Sequence, residues 1–247
     1  MSFTKLIRKI ATGSSEKQSF KVIKNEKTVN ISSDLETITV KHKGQPFTIR
    51  REQDPSATIP SLFNKTSRPC PPFCVQPMVV APNVETIAEL ELLNYLQLSQ
   101  TEPVVIVDSR IKRWVDTGTI PGAIHIPWTS LTATNETGIN KLLTILEDNF
   151  SVKITEGITK DKVVEALLKG ESDNLFDFSH AKTVVLFCNG SWCGQTSESV
   201  KALLELGYPA EKLKYYREGM QGWVSLGLSI AKDLDTTNAR PLVCNER

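Results

Sequence analysis

An excess of either charge is missing from this chain: 29 Lys and Arg stand against 28 Asp and Glu, leaving +1. That balance excludes a globally basic nucleic-acid binder. Long apolar runs are missing too, since nothing approaches the roughly 20 residues that span a bilayer. In the opening stretch MSFTKLIRKIATGSSEK, Lys5, Arg8 and Lys9 interrupt the apolar residues, so the uninterrupted core of a secretory signal is absent. Cysteines number five, too few and too odd for a disulfide scaffold in 247 residues. The expectation is a cytoplasmic protein without a membrane span, whose cysteines are candidates for chemistry. Internal repeats and low-complexity tracts are also lacking. Apolar residues at 40% and charged residues at 23% are enough for a packed core.

The even charge hides an asymmetry. Residues 1–53 hold 11 basic and 5 acidic side chains, net +6, and the remainder is net −5. This is read as a solvated basic face, the other reading being a surface for an acidic partner. Phe3, Leu6, Ile7 and Ile10 fall on one face of a short helix. Residues 1–19 are therefore taken as a basic helix and linker. Ile38 and Val40, then Phe47 and Ile49, alternate with polar residues around His42-Lys43-Gly44-Gln45-Pro46, which predicts a hairpin. An earlier run over 20–31 could add strands, giving a small β subdomain at 20–53. It is below the size that usually folds alone, so it is expected to pack on the larger remainder of the chain. Residues 54–82 are rich in proline and read as an ordered, irregular connector.

From Asn83 the pattern changes. Asn83 is a candidate cap for a helix through Leu96, with Ile87, Leu90 and Leu93 among its apolar positions. VVIVD (104–108) is a continuously apolar run ending in a carboxylate and VVLFC (184–188) is a second apolar run, as buried parallel strands are. Helical patterns follow at 139–150 and 160–169, and another ends at Gly207. LKYYREGMQGW (213–223) holds a short strand and a glycine turn. Strands alternating with helices predict an α/β domain over 83–247, with a mainly parallel sheet flanked by helices.

Cys188 closes one of those strands, and Asn189-Gly190-Ser191-Trp192-Cys193-Gly194-Gln195-Thr196 leads from it into a helix. Ligands of open α/β sheets bind beyond the carboxyl ends of strands. A loop that turns into a helix also points backbone N–H groups inward, which favours a thiolate. Gly190 and Gly194 let such a loop curl closely around a bound group. The alternative reading of Cys188 is a small buried hydrophobe. Cys193 could resolve an oxidised Cys188 or simply fill the loop, and Trp192 could shape the pocket mouth or cover it. In Arg68-Pro69-Cys70-Pro71-Pro72-Phe73-Cys74, the two cysteines could form a disulfide, half a metal site or a sulfur relay to Cys188. The plainer reading is a stiff strap, which could bring both cysteines near the site. No complete metal-ligand set is evident.

VDSRIKRWVDTGTIPGAIHIP (107–127) resembles the first signature of the rhodanese family. Asp108 closes a strand, Arg110 follows, and Gly118-Thr119-Ile120-Pro121-Gly122-Ala123 matches the family turn. LFCNGSWCGQTS and YYREGMQGW are similar to its second signature, and the paired match covers roughly 83–230. The resemblance implies a sulfurtransferase in which Cys188 carries a persulfide and Arg110 braces the structure or the substrate, with Asp108 in support. It implies a small anionic donor such as thiosulfate and a thiol or cyanide acceptor, with a sulfur-acceptor protein as a further partner. No cofactor is required, because an ionised thiol needs no general base. His42, His125 and His180 are then free of catalytic duty. The alternatives are a non-catalytic sulfur-carrier or interaction module, a cysteine-dependent phosphatase and a thiol redox enzyme. The loop runs two residues longer than the family's, and Gln195 stands where a cation is expected, which argues against phosphatase chemistry. Thr119 and Trp114 replace a common histidine and a common acidic residue.

Overall fold

The protein is described from a computed structural model, which covers residues 28–232. The basic helix expected at 3–10, most of the earlier run at 20–31, and Cys244 lie outside these residues. Of that run, the described residues 28–31 contain no strand.

The hairpin forms as expected, from β1 (Thr37–His42) and β2 (Gln45–Arg50) in antiparallel register. Its turn is tighter than the sequence suggested. Only Lys43 and Gly44 connect the strands, both at positive φ (49° and 78°), while His42, Gln45 and Pro46 belong to the ladder. Every second residue faces inward, which buries Ile38, Val40 and Ile49.

The central sheet is all parallel, in the order β3 (Glu85–Ile87), β9 (Leu213–Tyr216), β8 (Thr183–Phe187), β4 (Val104–Asp108), β5 (Ile124–His125). Strands β4 and β8, with their continuous apolar runs, sit in its middle. Alternation divides each strand between two cores. Val184 and Leu186 face one side with α3 (Trp128–Leu131), α4 (Glu136–Thr144), α5 (Lys160–Leu168) and α6 (Gln195–Glu205). Val185 and Phe187 face the other, with α1 (Glu89–Leu98), α7 (Gly219–Ser225) and the hairpin. The hairpin therefore shares a core with the sheet. A four-residue helix α2 (Lys112–Val115) follows β4, and the short strands β6 (Lys153–Ile154) and β7 (Phe176–Asp177) pair beside α5.

Two sequence expectations need correction here. Asn83 does not cap a helix: it sits in a turn at φ 63°, and residues 85–87 form the edge strand before α1 begins at Glu89. The Ala88 N–H donates to the Glu91 carboxylate at 3.1 Å, so the helix is capped five residues late. Its phase changes accordingly, with Leu92, Leu93 and Leu96 buried and Leu90 exposed. The helix expected at 139–150 begins earlier, capped by Asn135, and passes into a wider π turn over Ile145–Asn149.

Candidate active site

The loop after β8 is held from beneath by the backbone. Met220 and Gln221, in the first turn of α7, donate N–H bonds to the carbonyls of Cys188 and Asn189, both at 2.9 Å. This close approach requires glycine at 219. It stands at φ 52°, and a Cβ there would lie 2.3 Å from the Cys188 carbonyl oxygen. Cys193 N–H donates to the Gly190 carbonyl at 2.9 Å, which closes the loop on itself. Gln195 is the first residue of α6, so the chain passes directly from the loop into a helix N-terminus.

Both loop cysteines are buried free thiols. The Cys188 thiol donates to the Cys193 carbonyl at 3.1 Å, and the Asn189 side-chain amide reaches Cys193 Sγ at 3.8 Å. Burial alone would push the Cys188 thiol up. The neighbouring Cys193 thiol, the Thr196 amide and hydroxyl, and the Gly190 amide outweigh it and bring Cys188 down to about 7. Cys193 moves the other way, held well above an ordinary thiol by burial and by the charge that Cys188 carries when ionised. Of the two thiols, Cys188 is therefore the one that loses its proton first. Around them, Asn189 Oδ1 and Gln195 Oε1 are buried without a hydrogen-bond partner among the described residues.

Arg110 is fully buried but does not face the loop. Its guanidinium holds both Asp108 oxygens (Nε–Oδ1 2.8 Å, Nη2–Oδ2 2.6 Å) and donates to the carbonyls of Trp114 and Gly118. Of the two roles the resemblance allowed, bracing the structure is the one its geometry serves. Its contacts are with Asp108 and with the carbonyls of Trp114 and Gly118. Thr119, in the position of the common histidine, donates its hydroxyl to Asp108 Oδ2 at 2.6 Å. His125 Nε2 pairs with the Arg110 carbonyl at 2.8 Å. Trp114, in the position of the common acidic residue, packs against Trp192 at 6.2 Å between ring centroids.

The connector of residues 54–82 lies across this loop, and that arrangement was only conditionally expected from the sequence. Phe73 meets Trp192 edge-on at 5.5 Å, and Leu62 and Phe73 pack against the cluster of Trp114, Cys188, Trp192 and Cys193. The Arg68 guanidinium stacks 3.6 Å over the Trp192 ring. Gln76 N–H donates to the Ser191 carbonyl at 2.7 Å, and its Oε1 accepts from Ser197 Oγ at 3.0 Å. Arg217 in turn donates to the Gln76 carbonyl through Nε and Nη2. Trp192 is therefore a cover inside the protein, tied by Nε1 to Gln221 at 2.6 Å. Sequence reasoning missed Gln76, Arg217 and Gln221, since nothing local distinguishes them. Cys70 and Cys74 form a disulfide, one of the options the spacing left open. No cluster of metal-ligating side chains occurs among the described residues.

The site thus sits where the carboxyl end of a central strand of a parallel α/β sheet turns into a helix. The family model of the rhodanese-like domain matches residues 93–226, just over half of the chain, and the protein belongs to that family. Among solved structures, the chain is similar to a protein of unknown function from Rhodopseudomonas palustris, described as a possible tyrosine phosphatase. They share 18% identity with a TM-score of 0.36, over 62% of this chain and 88% of that one. A rhodanese-like domain from Anabaena matches at 14% identity and TM-score 0.34, over 68% of this chain and 90% of that one. Thiosulfate sulfurtransferase from Pseudomonas aeruginosa matches at 20% identity and TM-score 0.33, over 60% of this chain and 20% of that one. No curated protein matches.

Proposed function

We propose that the protein is a sulfurtransferase that carries a sulfane sulfur on Cys188. The observation that carries this reading is the Cys188 thiol, brought down to about 7 inside a loop of inward amides. In the first step the thiolate attacks the outer sulfur of a thiosulfate-like anion. A Cys188–sulfur bond forms, the donor's sulfur–sulfur bond breaks, and sulfite leaves with the electron pair. In the second step a thiolate or cyanide acceptor takes the outer sulfur, and Cys188 departs as a thiolate. Neither step calls for a general base, because the nucleophile is ionised beforehand and the donor brings its own leaving group. The Gly190 and Thr196 amides and the Thr196 hydroxyl favour the anion at each stage. Asn189, Ser191, Trp192, Cys193, Gly194 and Gln195 complete the substrate-binding loop, and Asp108 with Arg110 braces the strand end beneath it.

Kinetics on two variants test the assignment. Cys188→Ser should abolish sulfur transfer from thiosulfate to cyanide, since a hydroxyl is not ionised at neutral pH and cannot carry a persulfide. Cys193→Ser should retain at least partial transfer. Loss in Cys193→Ser with retention in Cys188→Ser would overturn the assignment. A thiol redox role is the second reading, favoured by Cys193 lying against Cys188. Phosphatase chemistry lacks support, because residues 188–196 contain no cation to grip a phosphoryl group.

A further inference from the structure

The proposed donor is an anion, yet residues 188–196 carry no Lys or Arg. A guanidinium stands at the edge of the loop instead. In the register of β8 and β9, Phe187 pairs with Tyr216, so Cys188 and Arg217 are the next residues off two adjacent strands. The Arg217 side chain is mostly buried, at 17% exposure, and its Nη1 meets the more exposed Glu218 carboxylate at 2.6 Å. Its other edge, Nε and Nη2, is the two-pronged face with which an arginine grips two oxygens of an anion. Here both prongs end on one backbone carbonyl, that of Gln76 in the strap, at 3.1 and 2.9 Å.

Gln76 reaches this place by entering the mouth of the loop. Its N–H donates to the Ser191 carbonyl at 2.7 Å, and its Oε1 accepts from Ser197 Oγ, in the first turn of α6, at 3.0 Å. A Cβ on Gly194 would lie 3.5 Å from its Nε2. One residue of the strap thus presents two acceptor oxygens, one to a hydroxyl and one to a guanidinium, as an oxyanion would. The Tyr215 hydroxyl ties these groups together. Burial raises it to about 12, Ser197 and Arg217 act to lower it, and the charge on Cys188 acts to raise it. All three side chains therefore lie within electrostatic reach of one oxygen.

We propose that Arg217 is the donor-binding cation of this site and that Gln76 stands in for the donor in the resting protein. When the strap lifts, the Nε–Nη2 edge of Arg217 takes two oxygens of the anion, and the Ser197 hydroxyl donates to the same group. That the anion is a sulfur donor rests on the sulfurtransferase reading. The division of labour suits a donor whose reacting sulfur and charged end are different atoms. Cys188 takes the outer sulfur within the loop, while the oxygens of thiosulfate sit one bond further out, beside Arg217. A phosphoryl group carries its oxygens on the attacked atom itself, inside a loop that has no cation. Arg68 also lies over the loop, but on the strap: it stacks on Trp192 and donates to the Leu62 carbonyl, so it lifts with the strap.

The test reads anion binding by how far sulfate protects Cys188 of the full-length protein from iodoacetamide, at an ionic strength held constant with chloride. Sulfate is a dianion like the donor but has no sulfur to transfer, so the result stands apart from whether Cys188 carries a persulfide. Sulfur transfer to cyanide is measured separately. Gln76→Ala should lower the half-protecting sulfate concentration, because the site is open in a larger fraction of molecules. An unchanged or raised concentration would show that Gln76 does not compete with the anion. Arg217→Gln should raise the concentration at least about tenfold, the scale of a lost hydrogen bond to a charged group. An arginine that only anchors the strap predicts the opposite sign, since its loss would also open the site. A concentration that falls or stays the same in Arg217→Gln would therefore overturn the proposal. So would an absence of protection in both the unaltered protein and Gln76→Ala. If Arg217→Gln fails to fold, Arg217→Lys gives the answer. It keeps the charge without the two-pronged edge, so the concentration should rise by a smaller factor, and no rise would overturn the proposal equally.

Discussion

Arg110 sits fully buried beside Asp108, and each needs the other. Removing one partner of such a pair leaves an uncompensated buried charge, at a cost of about 3–5 kcal/mol. Arg110→Ala should therefore lower the urea midpoint sharply, and any folded fraction should bind thiosulfate with an unchanged KM. A raised KM at unchanged stability would mean that Arg110 touches the donor after all. Gly219→Ala should also destabilise, because the φ of 52° costs about 1–3 kcal/mol in a non-glycine residue and its Cβ would strike the Cys188 carbonyl. Both changes are read as a fall in midpoint. The Cys188 thiol itself should betray its environment through pH. Only the thiolate alkylates, so the rate of iodoacetamide labelling at Cys188 should climb with pH through a midpoint at about 7. A midpoint near that of a free thiol, about 8.5, would show that the cradle does not act.

The element that distinguishes this site is the strap. Its hold on the loop includes the Phe73–Trp192 edge contact, and such aromatic pairs contribute about 0.5–1.5 kcal/mol beyond their burial. Phe73→Ala should therefore speed labelling of Cys188 by up to roughly tenfold, as the strap lifts more often. An unchanged rate would place the path to Cys188 elsewhere. This element also marks where the sequence could be read and where it could not. Strands β4 and β8 are legible because a strand buried on both faces is a continuous apolar run, as VVIV and VVLF are. The hairpin is legible through its strict alternation. The three-residue strand Glu85–Ile87 is not, since it carries too little pattern to compete with the helical spacing of Ile87, Leu90 and Leu93. The strap's docking is invisible for another reason. Gln76 meets Ser197 across 121 positions of sequence, and no local pattern encodes a contact of that range. Cys188 and its loop were readable because strand, loop and helix are consecutive. The turn of Arg110 away from the loop was not, because it depends on the carbonyls of Trp114 and Gly118 folding back over it.

At the scale of the molecule, the hairpin and strap are part of one core with the sheet. Ile38, Val40, Ile49 and Phe63 are buried against α1 and α7, and each such side chain stabilises by about 1.5–3 kcal/mol. A chain beginning at Asn83 should thus melt well below the full protein and expose apolar surface to a hydrophobic dye. Equal melting temperatures would make residues 1–82 a separable appendage.

The central claim is that Cys188 carries sulfur, and the most direct measurement is mass spectrometry of the protein after brief exposure to thiosulfate and removal of excess. The account predicts a mass gain of one sulfur atom, mapped to the peptide holding Cys188, lost on adding cyanide and absent in Cys188→Ser. An unmodified protein, or a sulfur found on Cys193 or on the strap and retained in Cys188→Ser, would contradict it.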